Sequence, residues 1–154
     1  MGFNIAGLLI KGEADETEIE KFIGSKITFS TEVDMEKATS SYREENTIDI
    51  LKTETGSLVI TELGQVYDIS NFDGEIIQFM ISDVSDTYYF EKFSRGNLDR
   101  KYIYSQGEVA EDEGNGIIKE DDDMMDLIWE LTDTYLQNDF LENMFDQKFK
   151  RYSF

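Results

Sequence analysis

Between Asn46 and Gln106 the chain is cut into strand-length runs by gaps too short to hold anything but turns. The runs cover residues 47–54, 57–62, 65–69, 75–82, 86–95 and 98–106, and the gaps carry Thr55-Gly56, Leu63-Gly64, Asn71-Phe72-Asp73-Gly74, Ser82 to Ser85, and Gly96-Asn97. Parallel neighbours need a crossover of a dozen or more residues, so gaps this short allow only antiparallel hairpins. Gly96-Asn97 has the Gly-first chemistry of a type II′ turn, and Asp73-Gly74 supplies a residue tolerant of positive φ. The expectation is an antiparallel β-meander of about six strands. Within it Ile76, Ile77, Phe79, Met80 and Ile81 load both faces, which marks a central or core-crossing strand.

The flanks read differently. Residues 3–11 are rich in Ile, Leu and Phe and stop at Gly12, as a buried N-terminal strand would. A helix should follow, capped by Asp15 or Thr17, with Ile19, Phe22 and Ile23 on one stripe and Gly24 at its end. Residues 25–33 alternate as a half-buried strand, with Ile27, Phe29, Thr31 and Val33 on one side, and the polar segment 34–45 has room for a short helix. Residues 107–123 read as an acidic loop. Met124, Leu127, Ile128, Leu131 and Tyr135 then form an apolar helical stripe over 124–137, widened by Met125, Trp129 and Leu136. Asn138 and Asp139 stop that helix and cap another over 140–145, and residues 149–154 close the chain as a strand. Together these readings predict one α+β domain over residues 1–154: a meander plus an N-terminal strand, with one N-terminal helix and C-terminal helices packed on the sheet.

Charge narrows the chemistry. The chain has 34 acidic residues against 14 Lys and Arg, for a net charge of −20, and contains no His, Cys or Pro. Nucleophile pairs built on His and metal sites built on thiolate or imidazole are therefore excluded. A field of this sign opposes contact with nucleic-acid phosphates or anionic lipid. The first ten residues are interrupted by Asn4 and lack a basic flank, and no run reaches the length of a membrane span. The sequence thus predicts a cytoplasmic protein without a cofactor, a metal, a nucleic-acid partner or a membrane contact.

The charge is also uneven. Residues 106–147 hold fourteen acidic side chains and one basic one, Lys119, a net −13 of the −20. One reading is a solvated loop and helix face that adds only solubility. The other is a docking patch for a basic protein, in which Glu111, Asp112, Glu113, Glu120, Asp121, Asp122 and Asp123 meet complementary charge. Residues 111–122 also mimic a calcium loop, with Gly116 sixth and Asp122 twelfth, but Glu111 replaces the usual first Asp and Asp122 the bidentate Glu. Paired carboxylates could serve a glycan hydrolase, yet nothing singles out two of them, and the one Trp, Trp129, lies on the apolar stripe. In the 86–106 hairpin, Tyr88, Tyr89, Phe90, Phe93, Tyr102 and Tyr104 read as cross-strand aromatic pairs, with Arg95, Arg100 and Lys101 on the wet face.

The opening Met1-Gly2-Phe3-Asn4-Ile5-Ala6-Gly7-Leu8-Leu9-Ile10, the Ser85 to Arg100 hairpin, Gly107-Glu108 with Glu113-Gly114, and the closing Lys150-Arg151-Tyr152-Ser153-Phe154 resemble a group of small acidic α+β bacterial proteins, many from Bacteroidetes. That group is similar in style to the immunity proteins that neutralise toxins in interbacterial competition. The resemblance implies a non-enzymatic protein-binding domain, most concretely an immunity-type inhibitor that caps a basic toxin or enzyme. Alternatives are an intracellular domain with another protein partner and a carboxylate-based glycan hydrolase.

Overall fold

The computed structural model describes residues 4–40, 42–114 and 123–154. Among them are nine strands and three α-helices: β1 Asn4–Lys11, α1 Glu16–Ile23, β2 Thr28–Asp34, α2 Met35–Ala38, β3 Thr47–Lys52, β4 Gly56–Thr61, β5 Glu75–Ser82, β6 Thr87–Ser94, β7 Asn97–Ser105, β8 Glu108–Gly114, α3 Met124–Leu136 and β9 Lys148–Ser153. All nine strands belong to one sheet, and every neighbouring pair is antiparallel. The fold is α+β.

The strand order is β2-β9-β3-β4-β1-β5-β6-β7-β8. The expected six-strand meander is therefore interrupted. β1 enters between β4 and β5, pairing Leu8 with Val59 on one side and Gln78 on the other. β9 enters between β2 and β3. Composition explains the first insertion: Ile5 and Leu9 face one core while Leu8 and Ile10 face another, so β1 can be buried only in the middle of a sheet covered on both faces. β5 follows the same logic, with Ile77, Phe79 and Ile81 on one side and Ile76 on the other.

The helices divide between the two faces. α3 lays Met124, Met125, Ile128, Trp129, Tyr135 and Leu136 on the larger core with Phe79, Phe90, Phe140 and Phe149, and Trp129 packs against Phe140 in a tilted pair, 5.5 Å between ring centroids. α2 adds Met35 and Ala38 to that core. α1 covers the opposite face through Ile19, with Phe22 and Ile23 beside it. Its N-cap is Asp15, whose carboxylate accepts from the Glu18 amide at 2.9 Å, and Gly24 ends it in the left-handed region. At its C-terminal end α3 is tied to the β3–β4 turn: the Thr53 and Thr55 hydroxyls donate to the Leu136 carbonyl at 2.8 and 2.9 Å. A Cβ on Gly56 would stand 2.6 Å from the Tyr135 carbonyl oxygen, so this glycine permits a close approach rather than making the turn.

Several local expectations are corrected. Residues 65–69 form no strand, because the Tyr67 amide and carbonyl bond at 2.8 Å each to the side-chain amide of Gln78, buried on β5. That segment crosses the α1 face of the sheet instead of joining its edge. The acidic stretch expected as a loop begins with β8, whose partner is β7. The second C-terminal helix is reduced to turns and a short 3-10 segment at Met144–Asp146. β2 is an edge strand and mostly exposed; a bulge after Phe29 places Phe29 opposite Tyr152 but Thr31 opposite Arg151, so the two do not share a face. The β6–β7 turn is Arg95-Gly96, with φ of 52° and 80°, which is type I′ chemistry one residue earlier than the expected Gly96-Asn97.

Candidate protein-docking surface

The seven carboxylates expected to form one patch are not equivalent. Glu111, Asp112 and Glu113 lie on β8, all exposed. The pleat splits them. Asp112 stands opposite Tyr102, which faces α3, whereas Glu111 and Glu113 stand opposite Ile103 and Lys101 on the other face. Two are already engaged: Asp112 accepts from the Arg100 guanidinium, and Glu111 lies 3.5 Å from the Lys101 ammonium. Asp123 is the N-cap of α3, accepting from the Asp126 amide at 3.1 Å. Glu120, Asp121 and Asp122 fall outside the described residues. The calcium-like stretch likewise begins in extended strand, its first four residues paired with β7 and its later positions undescribed; no group suited to hold a metal ion occurs among the described residues.

Arg100 corrects a further expectation. It is not on the wet face but 4% exposed, donating to the Glu113 carbonyl at 2.8 Å and lying 5.3 Å from the Tyr102 ring centroid. Its guanidinium fastens β8 to β7 at the end of the sheet. The aromatic reading of this hairpin holds: Tyr88 and Tyr104 are directly opposite, with ring centroids 5.8 Å apart.

The geometry also brings forward carboxylates that composition alone did not select. On α3 the exposed residues include Asp126 and Glu130, with Asp133 half-buried, at spacings that place all three on one side of the helix. The helix contains no Lys or Arg, and none of its carboxylates joins an ion pair among the described residues. Asp83 and Asp86, at the β5–β6 turn, extend negative potential toward the N-terminus of α3. Their effect is felt at Tyr88, whose phenol is pushed up to about 12 by burial, by its 2.8 Å hydrogen bond to Asp83, and by the charges of Asp83, Asp86 and Asp123. On the opposite face burial, with Glu91 and Glu111 beside it, raises Tyr89 as well. The signal in sequence was the i, i+4, i+7 recurrence of acids between the apolar positions of α3.

No family model, no curated protein and no solved structure matches the chain. Its function has to be argued from its own residues.

Proposed function

We propose that this protein is a non-enzymatic binding domain that docks the α3 side of its sheet on a basic protein, and that it acts as an immunity-type inhibitor capping a basic toxin or enzyme. The observation that carries this reading is the solvent face of α3. A surface helix selected only for solubility and stability gains from Glu–Lys pairs four residues apart, whereas like charges at that spacing cost a few tenths of a kcal/mol. Asp126 and Glu130 hold that unfavourable spacing, although the first turn favours Asp126, and Asp133 sits in the last turn, where the dipole disfavours an anion even as its carboxylate accepts the Leu141 amide at 3.4 Å. A helix face carrying three carboxylates and no base is accounted for by a basic partner that pairs with it on binding. Asp123, Asp112, Asp83 and Asp86 widen the same side of the sheet, and Glu111 and Glu113 contribute long-range steering from its edge.

The test is affinity capture from a lysate of the source cell, combined with growth protection against a basic toxin-like protein encoded beside this one. The wild-type chain should retain that protein at low salt, release it as salt rises, and protect the cell. A variant carrying Asp126→Lys, Glu130→Lys and Asp133→Lys, shown folded by circular dichroism, should do neither. Equal capture and protection by the variant would overturn the reading.

A further inference from the structure

On the face opposite α3, a cavity of about 210 Å³ opens between α1 and the β3–β9 pair. Its floor is apolar: Ala14 and Ile19 from the α1 side and Ile50 from β3, all buried. Its rim is cationic. Strand alternation sends Lys148, Lys150 and Tyr152 of β9 to one face and Phe149 and Arg151 to the other, and Lys150 stands directly opposite Ile50. Lys52, two residues beyond Ile50 on β3, joins the same rim.

These three lysines are exposed, and none forms an ion pair among the described residues. The nearest carboxylates across the strand pair do not close on them. Asp34, opposite Lys148 on β2, accepts from the Lys37 amide at 2.8 Å as the cap of α2. Glu32 stands opposite Lys150 without closing to it. Glu16, the one acidic residue lining the cavity among the described residues, accepts the Tyr152 hydroxyl at 2.8 Å. Three ammonium groups and one carboxylate leave the lining at +2, in a chain whose net charge is −20. The aliphatic stems of the lysines can lie along the apolar floor while the ammonium groups stay at the rim, open to an anion.

We propose that this cavity binds a small organic phosphate monoester, its apolar body on Ile19 and Ile50 and its dianionic head among Lys52, Lys148 and Lys150. Three ammonium point charges beside one carboxylate match a dianionic phosphate head, whose three terminal oxygens they can share, better than a carboxylate of single charge. The volume is below that of typical drug-sized sites and suits a body of about one ring. This site is independent of the α3 surface, and either can stand without the other.

The experiment is a heteronuclear NMR titration of the full chain with phenyl phosphate, inorganic phosphate, benzoate and benzyl alcohol. Phenyl phosphate should give saturable shifts at the amides of Ile50, Lys150 and Tyr152, inorganic phosphate and benzoate weaker ones, and neutral benzyl alcohol none. Lys150→Gln and Lys52→Gln, at exposed positions that the fold tolerates, should each weaken phenyl phosphate by about tenfold, as loss of a charge-assisted contact does. Absence of saturable shifts at these residues would overturn the proposal. So would equal affinity for inorganic phosphate, equal affinity for benzoate, or binding unchanged in the lysine variants.

Discussion

At the scale of single residues, the most demanding site is Asp49. Its carboxylate is fully buried on β3 and takes the Arg151 guanidinium at 2.8 and 2.9 Å and the Arg43 guanidinium at 3.1 Å. Two arginines share one anion, and each is itself almost fully buried. Taking away one partner of a buried pair leaves charge without compensation, so Asp49→Asn should lower the unfolding free energy by about 3–5 kcal/mol. Urea unfolding measures this, and a midpoint unchanged from wild type would refute it. The tyrosines set the alkaline limit. Tyr152 is pushed up to about 12, chiefly by burial and then by its bond to Glu16, and Tyr88 reaches a similar value. The unfolded phenol titrates near about 10, so above that pH the folded state holds protons the unfolded state has lost. This contribution to stability is fully present below about pH 10 and is lost as pH rises toward 12. The melting temperature should fall across that window, and Tyr152→Phe should flatten the fall.

At the scale of elements, α3 combines two demands on one helix. Its inner stripe was legible from the 3.6-residue period, and its end is fixed by the Thr53 and Thr55 hydroxyls on the Leu136 carbonyl. Its outer stripe is acidic at a cost. Glu130→Lys replaces a repulsion with Asp126 by an attraction, and should stabilise the protein by about 0.5 kcal/mol while weakening capture of a basic partner. Thermal unfolding and the capture assay measure the two halves separately, and a destabilised variant would count against the argument. β8 shows the limit of reading elements by charge. Residues 108–114 looked like a loop because acids crowd them, yet the Arg100 guanidinium and the alternation against β7 hold them as a strand. The favourable term there comes from a residue twelve to thirteen positions from the groups it holds.

At the scale of the whole molecule, the charge of −20 repels itself across one sheet. Raising ionic strength from about 0.01 to 0.1 M shortens the screening length from about 30 to 10 Å, so the melting temperature should rise over that range; a fall would show that attraction between surface charges dominates. What the amino-acid sequence determined was local. The gaps at 55–56, 83–85 and 96–97 fixed antiparallel neighbours, Asp15 and Gly24 bounded α1, the apolar period defined α3, and doubly apolar runs marked β1 and β5 for the interior. Only the tertiary structure decided which non-adjacent strands meet. β1 separates β4 from β5 because both its faces are apolar, and β9 separates β2 from β3, where Arg151 reaches the buried Asp49. The segment at Tyr67 had strand composition but lost its ladder to the Gln78 side chain, a competition no local pattern records. The same holds for the charges. Sequence counted the carboxylates and placed the excess near the C-terminus, but pleat and register distributed Glu111, Asp112 and Glu113 over two faces and gathered Lys52, Lys148 and Lys150 around one cavity. Side-chain spacing along a chain is set by covalent geometry, whereas the meeting of distant side chains is set by how strands buried on both faces divide the interior between them.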